Sequence, residues 1–516
     1  MRPIDMLVVG AGPAGLAAAI RFKQKQPEAC VVVLDKALRP GAQSLSGAVM
    51  EAACLDELLP GWRLQEDTIL GEMIPVTQDE MYFLTPHHAW KVSPLLVPSG
   101  MHHAGDQIVS LVKLVAWLGR IAVRLGIEVC SGFSARSLIW DRDVVRGVKL
   151  VEQGLLADGQ PGAGYLSGEE VFSPVTVLAD GARGSLSQEY ALRVGGNLNP
   201  QVYSLGVKQI FRLTGPNVFG TNRVVHTLGY PHRSDVFGGG FIYSMAHDFV
   251  AVGLILGLDW KYQDLNPQQE FEIYKTHPLV ASAIKDARLV EAGAKMIPEG
   301  GFYALGQVWN NGAVVVGDAA GFVNMQKIKG VHYAVRSGMA AADAAAGGDL
   351  SAYLAGLKAR GVWHDMHQAR NFRACFQWGL LAGAPLSQVQ GMIPWRISMG
   401  RDDVAMRSGA RLARTQNVGV DRAAFAALSG AAHREDEVSH LVISDPGLCT
   451  RCAKDFQSPC TLFCPTQVYR RDDSGMPVHI SASNCLHCGT CAVKCPLSNI
   501  VWMPPEGGEG PRYTVM

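Results

Sequence analysis

Cysteines near the carboxyl end place the strongest constraint on how this chain folds. Eight of its twelve cysteines fall in two runs between residues 449 and 495, and proline follows the fourth cysteine of each run. The first run is Cys449, Cys452, Cys460 and Cys464, and the second is Cys485, Cys488, Cys491 and Cys495. The second run has the C-x2-C-x2-C-x3-C-P spacing of bacterial ferredoxins, and the first differs in a longer inner loop. In that arrangement three close thiolates bind one [4Fe–4S] cube and the fourth binds another.

Exchanging the fourth ligand between the runs predicts two clusters. Cys449, Cys452, Cys460 and Cys495 would bind one cluster, and Cys464, Cys485, Cys488 and Cys491 would bind the other. Disulfides are the first alternative, but they need an oxidising compartment, and the opening MRPIDMLVVG lacks the regions of an export signal. Structural zinc is the second alternative, but it needs only four ligands per site and leaves the two prolines unexplained. The spacing therefore favours iron–sulfur clusters.

Length and charge narrow the class of protein. A chain of 516 residues is too long for a single core, so two or three domains are expected. Basic and acidic residues number 46 each, which gives no support for nucleic-acid binding. Hydrophobic residues make up 48%, yet no uncharged apolar run reaches the length of a membrane span. Attachment to a membrane surface stays open.

The amino end predicts a dinucleotide site. Residues 4–9 read as a buried strand, and the glycines of a G-x-G-x-x-G motif lead from it into an alanine-rich helix. Such glycines allow a tight turn, close approach of a pyrophosphate and close helix packing, while an acid after the second strand binds a ribose. The candidate contacts are Gly10, Gly12, Pro13, Ala14, Gly15, Asp35 and Lys36. The alternative is a glycine-rich packing turn without a ligand.

Two later turns favour FAD over NAD. The strand from Val175 ends in Asp180-Gly181, and the strand from Ala313 ends in Gly317-Asp318 before a second small-residue helix. These turns resemble the paired motifs of FAD-dependent hydroxylases and reductases, in which the second carboxylate would hold the ribityl chain. No second G-x-G-x-x-G follows a strand, so a nicotinamide domain is not expected.

Several stretches, read in order, resemble the electron transfer flavoprotein:ubiquinone oxidoreductase family. They are Ser44–Ala48, Phe237–Tyr243, Val252–Asp259, Gly317–His332, Phe463–Pro465 with Val468 and Tyr469, Asn484–Cys491 and Pro505–Pro511. The resemblance covers nearly the whole chain. It implies FAD, quinone as substrate, an electron-donating flavoprotein as partner, and further flavin contacts at Ser46, Gly47 and Gly330.

The resemblance also implies a fold class and domain bounds. We expect an α/β, Rossmann-like FAD-binding domain of the hydroxylase and reductase type at residues 1–195 and 300–350. An interleaved α+β quinone domain would span 196–299, a helical region 351–437, and a ferredoxin-like domain 438–516. The resemblance places the quinone at the backbone of Gly238 and Gly239, where no side chain hinders donation by the N–H groups, with Phe241 and Tyr243 as pocket walls. A bulged strand is the alternative reason for these glycines.

The cysteines depart from the family in one respect. The family's single cluster falls on Cys464, Cys485, Cys488 and Cys491, the set that crossed ligation also predicts. The other four tail cysteines, Cys449, Cys452, Cys460 and Cys495, are additional to the family's set, and they would complete a second cluster. Because two-cluster domains also exchange electrons with ferredoxins, a ferredoxin or another iron–sulfur enzyme is an alternative donor.

Two stretches are candidates for membrane contact. A predicted helix at 105–126 contains the stretch 108–125, which is apolar apart from Lys113, Arg120 and Arg124. Residues 376–397 combine large aromatic and aliphatic residues with Gly and Pro. Core packing is the alternative for each. Together they favour monotopic attachment, at the cytoplasmic face of a bacterial inner membrane, in an otherwise cytoplasmic protein. The adjacent pairs His87-His88 and His102-His103 lack the spacing of helical metal ligands and read as loop or quinone-mouth residues.

The predicted activity is one-electron transfer from a protein donor, through the clusters and FAD, to a membrane quinone. Three rivals stay open. They are a soluble ferredoxin-linked flavoprotein, a flavin-dependent reductase of lipid or isoprenoid alkenes, and a non-enzymatic electron-transfer subunit of a larger complex.

Overall fold

A computed structural model describes residues 2–47, 49–414, 418–471 and 478–516. Ala48, the last residue of the Ser44–Ala48 motif, lies outside these ranges. The chain begins with the predicted strand, helix and strand, at Met6–Val9, Pro13–Lys25 and Val31–Asp35. Proline at the first helical position and lysines in the last turn suit the two ends of this helix.

Six strands form the sheet of the dinucleotide domain. In spatial order they are Trp309–Asn310, Ala313–Val315, Thr176–Leu178, Met6–Val9, Val31–Asp35 and Glu128–Ser131. All neighbouring pairs are parallel except the pair at the Trp309 edge. The helix Val331–Ala346 packs tightly on the first helix, because a Cβ on Gly338 would lie 2.2 Å from the Ala14 carbonyl oxygen. Turns from three distant parts of the chain therefore meet at one edge of the sheet.

The helix predicted at 105–126 is not a membrane-surface helix. It spans Leu111–Arg124 after a strand at Gln107–Val109, and its apolar face lies in the core. Trp117 is fully buried with its ring centre 5.8 Å from that of Trp62, and two of the cations pair with carboxylates of the same domain. The apolar stripe therefore serves the protein core, which corrects the prediction.

A seven-stranded sheet forms the second large unit. In spatial order its strands are Ala287–Pro298, Tyr203–Leu213, Phe249–Gly257, Gly238–Met245, Arg223–Gly229, Gln78–Leu84 and Ala89–Lys91. Two helices, Pro267–Thr276 and Pro278–Ala283, accompany it. The last two strands come from the stretch that the sequence placed in the first part of the FAD-binding domain, so the sheet reaches beyond the predicted bounds 196–299. The long strands are almost wholly buried, which accounts for their continuous apolar sequence.

Smaller elements complete the first domain. Three strands, Val49–Met50, Met73–Pro75 and Gln107–Val109, form one sheet, and Ala135–Asp141, Val144–Leu150 and Glu170–Phe172 form another. A hairpin pairs Gln153–Leu155 with Pro161–Leu166, and two helices span Ala53–Leu58 and Ser185–Val194.

The region predicted to be helical contains short helices joined by loops. They are Tyr353–Ala359, Val362–Gln368, Phe372–Cys375, Leu380–Val389, Asp402–Ala405 and Arg422–Leu428. Large apolar side chains are exposed where the sequence predicted a membrane-contacting loop, with Leu381 at 76% and Met392 at 79% exposure. Across the described residues, every helix is too short or too polar to cross a bilayer.

The tail has two similar halves. One contains the strand Leu441–Ile443, the helices Pro446–Asp455 and Cys460–Phe463, and the strand Tyr469–Arg470; the other contains the strand His479–Ile480, the helix Thr490–Lys494 and the strand Ile500–Trp502. The outer strands pair with each other, as do the two inner strands. This exchange between halves places cysteines of one run beside those of the other.

Candidate functional site

One large cavity lies where the three units meet. Its volume is about 960 Å³, within the range of cofactor and ligand pockets. Predicted flavin residues at its wall are Gly10, Gly12, Pro13, Ala14, Asp35, Lys36, Ser46, Gly47, Asp180, Gly181, Asp318 and Gly330. All four predicted quinone residues, Gly238, Gly239, Phe241 and Tyr243, also line it. Sequence motifs more than 200 residues apart therefore face a single space.

The motif glycines differ in what surrounds them. A Cβ on Gly10, where φ is +109°, would lie 2.2 Å from the Ala179 carbonyl oxygen, and one on Gly15 would lie 1.9 Å from the Gly10 oxygen. A Cβ on Gly12 would meet nothing within 4 Å, and its φ of −80° is open to any residue. Protein packing thus explains Gly10 and Gly15. Gly12 leaves room at a helix N-terminus, which is where a dinucleotide pyrophosphate binds.

Gly317, like Gly15, does not line the cavity, and close packing within the protein accounts for the glycine there. Its φ is +60°, and an added Cβ would lie 2.8 Å from the Ala14 Cβ. Its N–H donates to Ser337 Oγ at 3.0 Å, which fixes the turn against the helix Val331–Ala346. The following carboxylate, Asp318, is thereby held at the cavity wall.

Acidic side chains at the strand ends lie half-buried at the cavity wall. Asp35 accepts hydrogen bonds from the backbone N–H groups of Ala11 and Ala37, at 2.6 and 2.7 Å, which fixes its carboxylate at the end of the second strand. Burial raises the pKa of Asp318 to about 6, and the Lys295 ammonium opposes this rise. Asp35 can still accept from a ribose hydroxyl, because a carboxylate has about four lone-pair positions.

Two half-buried lysines at the cavity wall, Lys36 and Lys295, add positive charge to it. Burial, together with the nearby Lys295 ammonium, lowers the pKa of Lys36 to about 7. Burial likewise lowers the pKa of Lys295. An anionic phosphate or a reduced flavin would favour the charged form of both. Lys295 was missed from the sequence, although a lysine in the apolar strand Ala287–Pro298 was an available signal.

The glycine-rich strand owes its composition to the sheet. A Cβ on Gly238 would lie 2.0 Å from the Ile255 carbonyl oxygen, and one on Gly239 would lie 2.5 Å from the Thr227 carbonyl oxygen. Beyond them, Phe241 and Tyr243 stack with ring centres 4.7 Å apart. Packing alone is therefore a sufficient reason for these glycines, while their position still brings the backbone to the cavity.

The eight tail cysteines divide into two groups of four. Cys449, Cys452, Cys460 and Cys495 together line a small separate pocket. Around Cys485, burial raises the thiol pKa well above its ordinary value, and Cys488, Cys491 and Cys464 are close enough to raise it further. These are the two sets that the crossed assignment predicts.

Hydrogen bonds to sulfur repeat in the two groups. The Val468 N–H donates to Cys464 Sγ at 3.4 Å, and the Asn499 N–H donates to Cys495 Sγ at 3.3 Å, four residues after each cysteine. A tetrahedral zinc with Zn–S bonds of about 2.3 Å would bring its sulfurs to within roughly 4 Å of one another. Among the described residues, which include all eight cysteines, no three of these sulfurs lie within 4.8 Å of one another.

A polar bridge joins the second cysteine group to the cavity. Lys36 Nζ lies 3.3 Å from His487 Nδ1 and 5.0 Å from the Trp502 ring centre. His487, Cys488 and Trp502 all line the cavity. Sequence reasoning assigned no role to His487 or Trp502, because their proximity to the dinucleotide motif depends on how the tail packs against the other units.

Family comparisons agree with this architecture. The model described as "Electron transfer flavoprotein-ubiquinone oxidoreductase, 4Fe-4S" matches residues 416–514, and "ETF-QO, ubiquinone-binding" matches residues 203–297. A model of the NAD(P)-binding Rossmann-like domain matches residues 8–60. The three matches fall on the tail, the seven-stranded sheet and the amino-terminal motif.

Full-length relatives extend the similarity. An electron transfer flavoprotein-ubiquinone oxidoreductase from Arabidopsis thaliana is 36% identical over 99% of this chain and 84% of its own length. A Pseudomonas aeruginosa protein with that name is 35% identical over 99% of this chain and 98% of its own. Among solved structures, a geranylgeranyl bacteriochlorophyll reductase-like protein from Thermoplasma acidophilum has a TM-score of 0.53 and 15% identity, covering 76% of this chain and 97% of its own, so only the fold is shared. With its cavity, its two large sheets and its cysteine-rich tail, the chain belongs to the electron transfer flavoprotein-ubiquinone oxidoreductase family.

Proposed function

We propose that this protein takes electrons singly from an electron transfer flavoprotein and reduces a membrane quinone. The observation that carries this proposal is the shared cavity, which brings the dinucleotide motif, the glycine-rich strand and Cys488 to one space. A quinone in this cavity would lie close enough to both the flavin site and one cysteine group for direct electron transfer.

The residues at the wall fit FAD. The free space at Gly12 would accept the pyrophosphate, Asp35 the adenosine ribose, and Asp318 the ribityl chain. When bound, the flavin converts between one- and two-electron transfer, and the clusters supply single electrons. Through Lys36 and Lys295, the protein favours negative charge in this space.

We infer that the tail holds two [4Fe–4S] clusters. Support comes from the two groups of four cysteines and from the matching N–H bonds to Cys464 and Cys495. The group containing Cys488 borders the cavity, so its cluster would exchange electrons with the flavin. The group containing Cys449 would form an outer site that receives electrons from the partner.

We also propose contact with a membrane surface through an apolar rim, defined as Leu95, Leu96, Trp378, Leu381, Met392 and Trp395. All six side chains are more than half exposed. Gln388 Nε2 donates to the Leu96 carbonyl oxygen at 2.8 Å, which ties the two rim segments together, and Leu96 and Leu381 line the cavity. Such a rim would let a lipid-soluble quinone enter without crossing water. We place this contact at the cytoplasmic face of a bacterial inner membrane.

The test is reduction of ubiquinone-1 by the purified protein carrying FAD and iron. With photoreduced electron transfer flavoprotein as the donor, we expect flavin bleaching followed by quinol formation. If a reduced ferredoxin drives quinol formation and electron transfer flavoprotein does not, the donor in this proposal is wrong. If reduced protein leaves ubiquinone-1 unchanged, the quinone role is wrong.

Iron analysis tests the second cluster separately. Two clusters predict about eight iron atoms per chain and spin-coupled signals in electron paramagnetic resonance spectra of the reduced protein. About four iron atoms with a single uncoupled signal would contradict the second cluster.

A further inference from the structure

Polar side chains cross one face of the seven-stranded sheet at the cavity. Strand register pairs Val224 with both Asp79 and Tyr243, and pairs His226 with Phe241. Because alternate residues of a strand share a face, Asp79, His226 and Tyr243 all project to the same side. Three titratable groups thus lie on one face of three neighbouring strands.

The first link of this group is a short hydrogen bond. Tyr243 Oη lies 2.5 Å from His226 Nε2, and both side chains line the cavity while being less than 10% exposed. The Tyr243 hydroxyl also faces Gly47, where an added Cβ would lie 3.8 Å from Oη. A proton on this hydroxyl is therefore placed where flavin and quinone would meet.

The second link leads away from the cavity. The ring centre of His103 lies 5.0 Å from that of His226, and ligand atoms of Asp79, His103 and His226 lie within 4.8 Å of one another. The backbone N–H of His103, not its ring, donates to Asp79 Oδ2 at 2.7 Å and holds the carboxylate beside the imidazole. His103 is 1% exposed, and its Nε2 lacks a hydrogen-bond partner among the described residues.

The chain of groups reaches solvent at its far end. The Asp79 side chain is 13% exposed, and its Oδ2 lies 3.9 Å from Nδ1 of His102, which is 44% exposed. A side branch runs from His103 Nδ1 to Asp106 Oδ2 at 3.4 Å, and from there to Lys329, which lines the cavity. Titratable groups therefore extend from solvent to the cavity without an apolar gap.

We propose that His102, Asp79, His103, His226 and Tyr243 form a proton path that delivers protons from solvent to the quinone. This inference rests on the proposed quinone reduction. Quinone takes up two electrons, supplied from the donor protein, and two protons to become quinol. Each proton that leaves the Tyr243 hydroxyl is replaced from His226, whose other ring nitrogen takes one from Asp79 or His103, so solvent supplies both protons.

Protonation of the two central groups suits this role. Burial lowers the pKa of His226 well below its usual range, with His103 and Lys329 adding to this, and burial raises the pKa of Tyr243 well above its usual range. Both groups are therefore neutral at physiological pH. A neutral imidazole can accept a proton at one nitrogen while donating from the other, and a neutral phenol can do the same at oxygen.

The test compares two oxidants of the pre-reduced protein, carrying FAD and iron, in a stopped-flow instrument. Ubiquinone-1 needs protons, whereas hexacyanoferrate takes electrons alone. For Asp79→Asn we expect the ratio of the ubiquinone-1 rate to the hexacyanoferrate rate to fall about tenfold or more, in the range of lost general acid catalysis. Added formate should restore part of that ratio, and ubiquinone-1 affinity, measured by equilibrium binding without a donor, should stay unchanged.

Tyr243→Phe provides a second variant that keeps the ring stacked on Phe241. This variant should also lower the ratio of the ubiquinone-1 rate to the hexacyanoferrate rate. Tyr274→Phe is the matched control, because Tyr274 also loses only a buried hydroxyl, bonded at 3.0 Å to Thr227 Oγ1 on the opposite face of the sheet. Its ratio should equal that of the unaltered protein.

Three results would overturn the path. They are an unchanged ratio in both variants, an equal loss in Tyr274→Phe, and a stoichiometric metal ion that is present in the unaltered protein and lost in Asp79→Asn. If the unaltered protein reduces hexacyanoferrate but not ubiquinone-1, the proposed quinone reduction itself fails, which is a separate outcome.

Discussion

Gly12 and Gly15 belong to one motif but are glycine for different physical reasons. A side chain on Gly15 would collide with the Gly10 carbonyl, while one on Gly12 would project into the cavity. Sequence reasoning named both among the candidate dinucleotide contacts, but only Gly12 lines the cavity. The two alanine variants are therefore expected to affect different properties of the protein.

Replacing Gly12 should therefore separate cofactor binding from stability. We expect Gly12→Ala to leave the unfolding midpoint of the FAD-free protein unchanged or slightly raised, because its φ of −80° is compatible with alanine. FAD affinity should fall about tenfold or more, equivalent to roughly 1.4 kcal/mol, since the methyl group occupies space that the pyrophosphate needs. Fluorescence titration of the FAD-free protein measures this affinity.

Gly15→Ala is the contrasting variant. Its Cβ would lie 1.9 Å from a backbone oxygen, so the strand and helix must separate. Overpacking of this kind costs about 1–3 kcal/mol, and thermal unfolding of the FAD-free protein should reveal it. Equal unfolding midpoints for the two alanine variants would contradict the distinction.

Glu509 should make stability depend on pH. Its Oε1 accepts from the backbone N–H of Arg434 at 2.8 Å, and carboxylate oxygens of Glu437, Glu506 and Glu509 lie within 4.8 Å of one another. Burial and the neighbouring Glu437 raise the pKa of Glu509 above its ordinary value of 4.5. The folded state therefore holds a proton that the unfolded state releases above about pH 4.5, and stability falls as pH rises from there towards the raised pKa.

Glu509→Gln should abolish this fall in stability with rising pH. We expect its unfolding midpoint at pH 8 to exceed that of the unaltered protein by about 2 °C or more, with a smaller difference at pH 5. Scanning calorimetry at both pH values checks this. A difference that is the same at both pH values would show that Glu509 is ionised in the folded protein.

At the scale of elements, the tail shows how much spacing alone can specify. Cysteine positions predicted which residues group together, because each Cys-Pro pair ends a short helix and turns its sulfur to the opposite half. The helix Leu111–Arg124 shows the limit. Its apolar stripe with three cations fits either a membrane surface or a core, and only the packing of Trp117 on Trp62 decides between them.

Serine substitutions test the crossed groups. Cys495→Ser should disrupt the cluster at Cys449, Cys452 and Cys460 while sparing the other, because Cys495 lies with those three. Bound iron should fall from about eight atoms towards about four, with the signal of the inner cluster retained. Iron analysis and electron paramagnetic resonance measure the two effects.

Cys375→Ser is the matched control for iron content. Cys375 is also buried but lies in the helix Phe372–Cys375, apart from the tail groups. Its iron content should be unchanged. If Cys495→Ser damages the cluster at Cys485 and Cys488 instead, the ligands are not exchanged between the two halves.

At the scale of the whole molecule, the rim at the cavity mouth predicts binding to lipid. We expect Leu381→Glu and Trp395→Glu each to lower binding to vesicles of phosphatidylglycerol and phosphatidylethanolamine, because each places a charge among exposed apolar side chains. A decrease of about fivefold or more corresponds to roughly 1 kcal/mol of lost burial. Vesicle flotation measures the bound fraction.

Leu192→Glu is the control for vesicle binding. Leu192 is 90% exposed on the helix Ser185–Val194, apart from the rim segments. Its variant should bind vesicles as the unaltered protein does. Binding that is unaffected by both rim substitutions would remove the rim as the contact surface.

The sequence could predict the motifs of this protein better than their assembly. Strand, turn and helix signals are local, so the dinucleotide motif and the turns at Asp180 and Asp318 were recognisable from residues alone. The addition of Gln78–Leu84 to the seven-stranded sheet and the approach of His487 to Lys36 depend on contacts between residues far apart in sequence. No local pattern encodes such contacts.

The discontinuous six-stranded sheet has a consequence for the chain as it leaves the ribosome. One edge of the strand Met6–Val9 stays unpaired until Thr176–Leu178 has been synthesised. One edge of Thr176–Leu178 in turn stays unpaired until Ala313–Val315 has been synthesised. At a synthesis rate of about 5–20 residues per second, each of these intervals lasts on the order of ten seconds. Nascent chains would expose apolar strand edges throughout, so slower translation before residue 313 should increase their capture by chaperones and their aggregation.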